Sequence, residues 1–139
     1  MENKDLKEVY DSFHKQGASS WFGQGDEERE LILKMGEPWK DKEVLEIGCG
    51  EGNLSRMISE RDALVLGVDY SEEAIKKAKP KEHYLLSFES IDYRKVAEKY
   101  DRLVLQGVLE HLDNPFTELK WMMDNLLTEK GDVITSSPC

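Results

Sequence analysis

The chain has 139 residues, with 29 acidic and 19 basic side chains and a formal net charge of -10. This length suits a single domain with a sizeable core, and the acidic balance argues against nucleic-acid partners, because a phosphate backbone would repel the protein. No apolar run approaches the ~20 residues of a membrane span, and the first residues do not resemble a signal peptide. Cys49 and Cys139 make neither a disulfide framework nor a metal site, which indicates a reducing, cytoplasmic setting.

Residues 1–40 are predicted to be mainly helical. Apolar side chains between positions 6 and 13 recur at the spacing of one helical stripe. Asp26 is expected to cap a second helix, and Gly36 is expected to end it. The residues expected on the apolar face of this second helix are Leu31, Ile32 and Met35.

From Glu43 onward, short apolar runs alternate with helical stretches. Strands are predicted at residues 44–47, 63–68, 83–88, 103–105 and 133–135. Helices are predicted at residues 53–60, 72–79, 92–99 and 115–127, and Asn114 is expected to cap the last of them. Strands that recur every ~20–30 residues with helices between them indicate βαβ units and a parallel sheet, and therefore an α/β fold.

A glycine-rich loop follows the first strand, with the sequence Glu46-Ile-Gly48-Cys49-Gly50-Glu51-Gly52. In a doubly wound sheet, ligands bind at the carboxyl ends of the strands, beside this turn. Glycines permit a tight turn and close approach of a ligand to the backbone. Asp69 ends the second strand, 21 residues after Gly48, where a carboxylate can accept both hydrogen bonds of a ribose diol.

Two nucleotide-like ligands compete for such a loop. A dinucleotide requires Gly-x-Gly-x-x-Gly/Ala and places its pyrophosphate on the helix N-terminus. Here Asn53 stands at the last of these positions, and Glu46 and Glu51 would repel a pyrophosphate. S-adenosylmethionine has no phosphate and carries a sulfonium and an ammonium, so acidic groups suit it. The charges therefore favour the methyl donor.

Three segments, Val44–Gly52, Gly67–Ser71 and Val108–Pro115, resemble the class I S-adenosylmethionine-dependent methyltransferases, and are most similar to the branch that methylates small molecules such as quinones and sugars. The resemblance implies a doubly wound, mainly parallel sheet of about five strands in the order 3-2-1-4-5, with helices on both faces. It also implies a helical lid at residues 1–40 and a cofactor-binding core at residues 41–139.

The family's terminal strand pair is missing after the fifth predicted strand, so a truncated form or a part of a longer protein is expected. The fifth strand would then be an open sheet edge at which two copies associate. In the lid, Trp21 and Phe22 would line the entrance to the site or pack the helix against the sheet.

The resemblance implies a set of cofactor contacts around the loop. Glu46 would hold the methionine end, or be a strand-end carboxylate satisfied by loop amides. Gly48 and Gly50 would lie against the cofactor, with Cys49 contributing backbone. Asp69 would bind the ribose hydroxyls.

The remaining implied contacts carry open alternatives. Tyr70 would pack on the adenine or be an ordinary rim aromatic. The family often has an acid after the third strand for the adenine amino group; Ser87 stands near that position, with Phe88 and Glu89 beside the base. Gln106, the last of the implied contacts, would contact the cofactor through its backbone, or its side chain would be a solvated amide.

His111 is the candidate catalytic residue. It would face the acceptor as a general base or orienting group, or its ring would bond a backbone carbonyl. Because the methyl group of the donor is already activated, a dedicated base is not required. Two other functions remain open: a nicotinamide-dependent Rossmann enzyme, and a non-catalytic fragment that binds S-adenosylmethionine.

Overall fold

The computed structural model describes the backbone of residues 23–136 and the side chains of residues 26–136. The helix predicted near residues 6–13, together with Trp21, Phe22 and Cys139, lies outside these described residues. Within residues 23–136, no helix is both long and apolar enough to cross a bilayer.

Four α-helices and five strands make up the described chain. In chain order they are α1 (Gly23–Met35), β1 (Glu43–Ile47), α2 (Asn53–Ser59), β2 (Leu64–Asp69), α3 (Glu72–Ala78), β3 (Leu86–Ser90), β4 (Tyr100–Gln106), α4 (Pro115–Leu126) and β5 (Leu127–Ser136). Short 3-10 turns lie at Lys79–Lys81, Tyr93–Lys95 and Leu109–His111.

The five strands form one parallel sheet in the order β3-β2-β1-β4-β5. This confirms the predicted order 3-2-1-4-5. Apolar side chains of α1, α2 and α3 pack on one face of the sheet, and those of α4 pack on the other. The expected α/β architecture with helices on both faces is therefore present.

The register of the sheet brings the carboxyl ends of the strands to one edge. Glu46 of β1 lies opposite Gly67 of β2 and Val104 of β4. Asp69 lies opposite Ser90, at the ends of β2 and β3. Strand alternation turns the side chain of Glu46 towards the α2 face, because its neighbours Leu45 and Ile47 pack on the α4 face.

Two of the predicted segments after β2 were wrong. The predicted helix at 92–99 is only a 3-10 turn, because Asp92 caps that turn by accepting the amide of Arg94 (2.9 Å) and Val96 then becomes extended. The predicted strand at 83–88 lies instead at Leu86–Ser90, because the backbones of His83 and Leu86 bond to each other and turn the chain first.

The buried face of α1 differs from the prediction. The helix begins at Gly23, so Asp26 lies in its first turn and does not cap it. Ile32 and Leu33 are buried, whereas Leu31 and Met35 are exposed, because the helix packs on the sheet along a neighbouring stripe.

The segment around α4 also differs from the prediction. Asn114 precedes the helix without a side-chain capping bond. Met122 and Leu126 are its buried residues, while Phe116 and Met123 are exposed. β5 begins at Leu127, directly after the helix and earlier than residue 133, because Leu127 already pairs with Tyr100 across an irregular register.

A cluster around the buried Arg102 and Trp39 fixes the connection between α1 and β1. Arg102 donates to both carboxylate oxygens of Asp132 (2.6 and 2.9 Å) and to the carbonyl of Gly36 (2.6 Å). Its guanidinium lies 4.7 Å from the ring centre of the fully buried Trp39. The indole Nε1 of Trp39 donates to the carbonyl of Leu33 (2.9 Å). The indole is therefore held in one orientation by polar contacts at its edge and at its face.

We predict that Gly36→Ala destabilises the fold by about 1–3 kcal/mol, because a Cβ at this position would overlap the fixed Trp39 ring. The measurement is the free energy of unfolding in urea. Lys34→Ala, at an exposed position of α1 two residues earlier, is the control and is expected to change stability by no more than about 0.5 kcal/mol. Equal stability of the two variants would show that the Trp39 ring moves freely.

Candidate functional site

The carboxyl edge of the sheet gathers most of the residues predicted to bind a cofactor. Glu46 is next to last in β1, and the glycine loop at residues 48–52 follows it. Asp69 ends β2, and Gln106 ends β4. These groups come from separate strands and meet because parallel strands end at the same edge.

The glycine loop uses its own amides to fold. The amides of Gly48 and Cys49 both donate to the carbonyl of Val68 (2.9 and 3.0 Å), and the amide of Gly50 donates to Oδ2 of Asp69 (2.8 Å). Gly48 and Gly50 have φ values of 73° and 57°, in the left-handed region that favours glycine. Because three successive amides are already bonded, they do not form an open cradle for a pyrophosphate.

Asp69 is a buried carboxylate that joins two backbone segments. The residue is only 3% exposed. Oδ2 accepts the amide of Gly50 and Oδ1 accepts the amide of Ser71, each at 2.8 Å. An ionised carboxylate oxygen can accept more than one hydrogen bond, so this structural role is compatible with ribose binding.

Glu46 is buried as well, at 2% exposure, and its partner is a side chain of α2. Ser55 Oγ donates to Glu46 Oε1 at 2.6 Å. Burial raises the pKa of Glu46 to about 8, and the nearby charge of Asp69 adds to this rise. The Ser55 hydrogen bond and the charge of Arg29 act in the opposite direction. A hydroxyl of α2, and not the loop amides considered from the sequence, therefore satisfies this carboxyl group.

Arg29 and Ser55 are two site residues that the sequence reasoning missed. Arg29 lies on α1 with its side chain 20% exposed, forms an ion pair with Asp26, and acts electrostatically on Glu46. No motif marks Arg29, because its position depends on how α1 packs. Ser55 had a signal, since it falls on the helical face shared by the buried Leu54 and Ile58.

The predicted adenine residues of β3 are not all at the carboxyl edge. Ser87 lies opposite Leu66, three positions before Ser90, where the strand ends. Phe88 is 2% exposed and packs beneath the loop, where a Cβ on Gly52 would overlap its ring. Glu89 is exposed, one position before the strand end.

Asp92 is the acid that follows β3 in space. Tyr70 Oη donates to Asp92 Oδ1 at 2.8 Å. Burial and the Asp92 contact raise the pKa of Tyr70, so its hydroxyl stays protonated and donates. The Tyr70 ring also packs edge-on against Tyr93, with ring centres 6.3 Å apart. Tyr70 is thus anchored at the edge, and sequence reasoning missed Asp92 because it placed this residue at the start of a helix.

Gln106 and His111 lie on the β4 side of the edge. Gln106 Nε2 donates to Glu28 Oε2 of α1 at 3.1 Å, so its side chain is bonded to the protein and is not simply a solvated amide. His111 ends the 3-10 turn after β4, with its side chain 42% exposed and its Nε2 3.8 Å from Glu110 Oε1. Both residues contact further groups of the protein.

Comparison with known proteins gives the family. A family profile described as a methyltransferase domain matches residues 24–139. The ubiquinone biosynthesis O-methyltransferase of Glaesserella parasuis is 30% identical over 160 aligned residues, covering 99% of this chain and 66% of the relative. The enzyme of the same name from Pasteurella multocida is 29% identical, covering 83% and 57%. The enzyme from Nitrosomonas europaea is 37% identical over 84 residues, covering 54% and 35%. The chain thus spans between about a third and two thirds of the curated relatives it matches.

Solved structures share the fold. A DhpI complex with SAH has a TM-score of 0.78 at 18% identity, covering 95% of this chain and 67% of that one. The magnesium protoporphyrin IX methyltransferase of Synechocystis PCC 6803 with bound SAM has a TM-score of 0.69 at 21% identity, covering 91% and 73%. The order of the strands, the glycine loop with its flanking acids and the matched profile agree, and the chain belongs to the methyltransferase-domain family that its sequence resembles.

Proposed function

We propose that the protein transfers a methyl group from S-adenosylmethionine to a small-molecule acceptor. The observation that carries this proposal is the pair of buried carboxyl groups, Glu46 and Asp69, on either side of a loop whose amides are already bonded. This arrangement suits a cationic ligand without phosphate and opposes a dinucleotide. A nicotinamide-dependent enzyme is therefore not favoured.

The residues present fit the parts of this cofactor. Glu46 would face the positively charged groups at the methionine end of the cofactor, and Arg29 would pair with the carboxylate of that end. Asp69 would accept the ribose hydroxyls. Asp92, held by Tyr70, would replace Ser87 as the residue that accepts from the adenine amino group. Phe88 would not contact the adenine, but its ring would support the glycine loop by packing beneath it.

When bound, S-adenosylmethionine supplies a methyl group that the positive charge on sulfur has already activated. The protein then aligns the two reactants and keeps water out. His111 would accept the acceptor's proton at Nε2, or orient the acceptor by a hydrogen bond. The curated relatives are named as O-methyltransferases, so we propose a hydroxyl oxygen as the accepting atom, within the wider set of oxygen, nitrogen and carbon.

Cofactor choice is tested by calorimetric titration with S-adenosylmethionine and with NAD. We expect only the first to bind. Asp69→Asn should weaken its binding roughly 10- to 100-fold, because the side chain loses its charge and one of the two acceptor oxygens, which weakens both the ribose contact and the bonds that hold the loop. Asp124→Asn changes an exposed residue of α4 and is the matched control. Tighter binding of NAD, or unchanged affinity in Asp69→Asn, would contradict the proposal.

Catalysis is tested by turnover with a panel of hydroxylated small molecules, including quinone-like phenols. If His111 is the base, His111→Gln should lower kcat roughly 10²- to 10⁴-fold and leave the Kd of the cofactor unchanged. An unchanged kcat would assign His111 a structural role. Cofactor binding without turnover of any acceptor would instead favour the non-catalytic binding fragment.

We further propose that two copies associate through β5 and that the protein acts in the cytoplasm. The cytoplasmic setting is supported by the free, buried thiol of Cys49. The association is supported by a difference between the two sheet edges. At the β3 edge, Glu82 accepts the amide of Phe88 and Lys79 donates to its carbonyl, both at 2.8 Å. These side chains cover backbone groups that another strand would use. β5 is the opposite edge strand.

Association through β5 is tested by measuring molar mass against concentration by light scattering. We expect a dimer whose dissociation constant rises about tenfold or more in Thr135→Lys, because a charged residue on an edge strand opposes pairing. Thr117→Lys makes the same exchange at an exposed position of α4 and should leave the dimer intact. A monomer at all concentrations would rule out this association.

A further inference from the structure

Glu46 has an unusual environment for a residue expected to act as an anion. It is 2% exposed, and its hydrogen bonds come from the neutral hydroxyl and the backbone of Ser55. Among residues 26–136, no salt bridge includes Glu46, and Arg29 is paired with Asp26. An ionised carboxylate buried in this way is costly unless a cation joins it.

The groups around Glu46 come from every neighbouring element. Arg29 on α1 is positive, Ser55 on α2 is neutral, and Asp69 on β2 is negative. The Cys49 thiol is neutral, because burial and the two nearby acids raise its pKa. On β4 the opposing residue, Val104, is apolar. One cation that is already engaged therefore faces two acids, and burial raises the pKa of Glu46 to about 8.

We propose that Glu46 is a protonated acid in the cofactor-free protein and that binding of the cationic cofactor expels its proton, so that the carboxylate becomes the counter-ion of the ligand. The proposal rests on the proposed function, since it takes S-adenosylmethionine as the ligand. It goes beyond that function by giving the site a coupling between ligand affinity and pH.

The step balances in atoms and charge. Oε1 accepts the hydrogen bond from Ser55, so the acidic proton resides on Oε2. The Oε2–H bond breaks, the proton goes to the buffer, and the negative charge that remains faces the incoming positive charge. Ser55 keeps donating to Oε1 and its bond becomes charge-assisted and stronger. Ser55 is therefore a positioning residue that favours the ionised form.

Affinity follows from the same linkage. Below the pKa of Glu46, which is about 8 in the free protein, ligand binding must remove a proton and is weakened. The affinity of S-adenosylmethionine should therefore increase by up to about tenfold per pH unit as the pH rises toward 8, and the Glu46 contribution should level off above it.

The test is calorimetric titration of the protein with S-adenosylmethionine at pH 6.5 and pH 9, in buffers of different ionisation enthalpy. The dependence of the observed heat on buffer gives the number of protons released. We expect about one proton per ligand at pH 6.5 and close to none from Glu46 at pH 9.

Two variants and one further ligand distinguish Glu46 from the amino group of the ligand as the source of the released proton. Glu46→Gln keeps an acceptor for Ser55 but cannot ionise, so any protons it still releases belong to the amino group of the ligand. Ser55→Ala should move the pH dependence of proton release upward, because the bond that favours the carboxylate is gone. 5′-Methylthioadenosine, which has the nucleoside but no charge, should bind without releasing protons.

A second measurement needs no ligand. A protonated Glu46 stabilises the folded protein at low pH. This contribution is lost as the pH rises from 4.5, the ordinary pKa of a glutamate, through about 8, the pKa of Glu46 in the folded protein. Relative to Glu46→Gln, the wild-type urea midpoint should therefore fall over this range. Wild-type and Glu46→Gln urea midpoints that change in parallel with pH would overturn the proposal. Equal proton release by these two proteins on ligand binding would overturn it as well. Failure of S-adenosylmethionine to bind at all would instead overturn the proposed function, and with it the role of Glu46 as counter-ion.

Discussion

The Asp69 carboxylate is the contact on which the rest of the site depends. Its two oxygens hold the amides of Gly50 and Ser71, so the glycine loop and the turn into α3 are fixed to the end of β2 by one side chain. Ser71 in turn caps α3 by accepting the amide of Ala74. Because Asp69 is buried, these bonds are little weakened by water. The shape of the loop is therefore set before any ligand arrives, and it presents acids where a phosphate site would present amides.

Much of this architecture could be predicted from the sequence, because the central strands are buried on both faces and appear as continuous apolar runs. β1, β2 and β4 were located in this way, and the spacing of the glycine loop to Asp69 placed the acid at the strand end. The edge strand β3 was misplaced, since its end is set by pairing with β2 and by the turn at His83. Because the end of β3 was placed too early, Ser87 and not Asp92 was assigned near that end.

The parts of the site that were missed depend on packing between elements that are distant in sequence. Arg29 acts on Glu46 because of how α1 packs on the sheet: the predicted Ile32 is buried together with Leu33, whereas the predicted Leu31 and Met35 are exposed. In the same way, the Ser55 bond to Glu46 depends on how α2 packs at the end of β1, and the pKa of Glu46 is raised by burial in the folded protein. Neither effect is encoded in a short motif, although the acid itself is.

The two halves of the site are held by different parts of the fold. Glu46 and Asp69 are fixed by strands, the loop and α2, whereas Asp92 depends on a cluster that reaches α4. Tyr70 bonds Asp92 and packs on Tyr93. Tyr93 and Arg94 both donate to Glu118 of α4, and Arg94 stacks on Trp121. Displacement of α4 would thus reach Asp92 directly through this cluster, whereas it would reach Glu46 only through the packing of Leu45 and Ile47 on the α4 face.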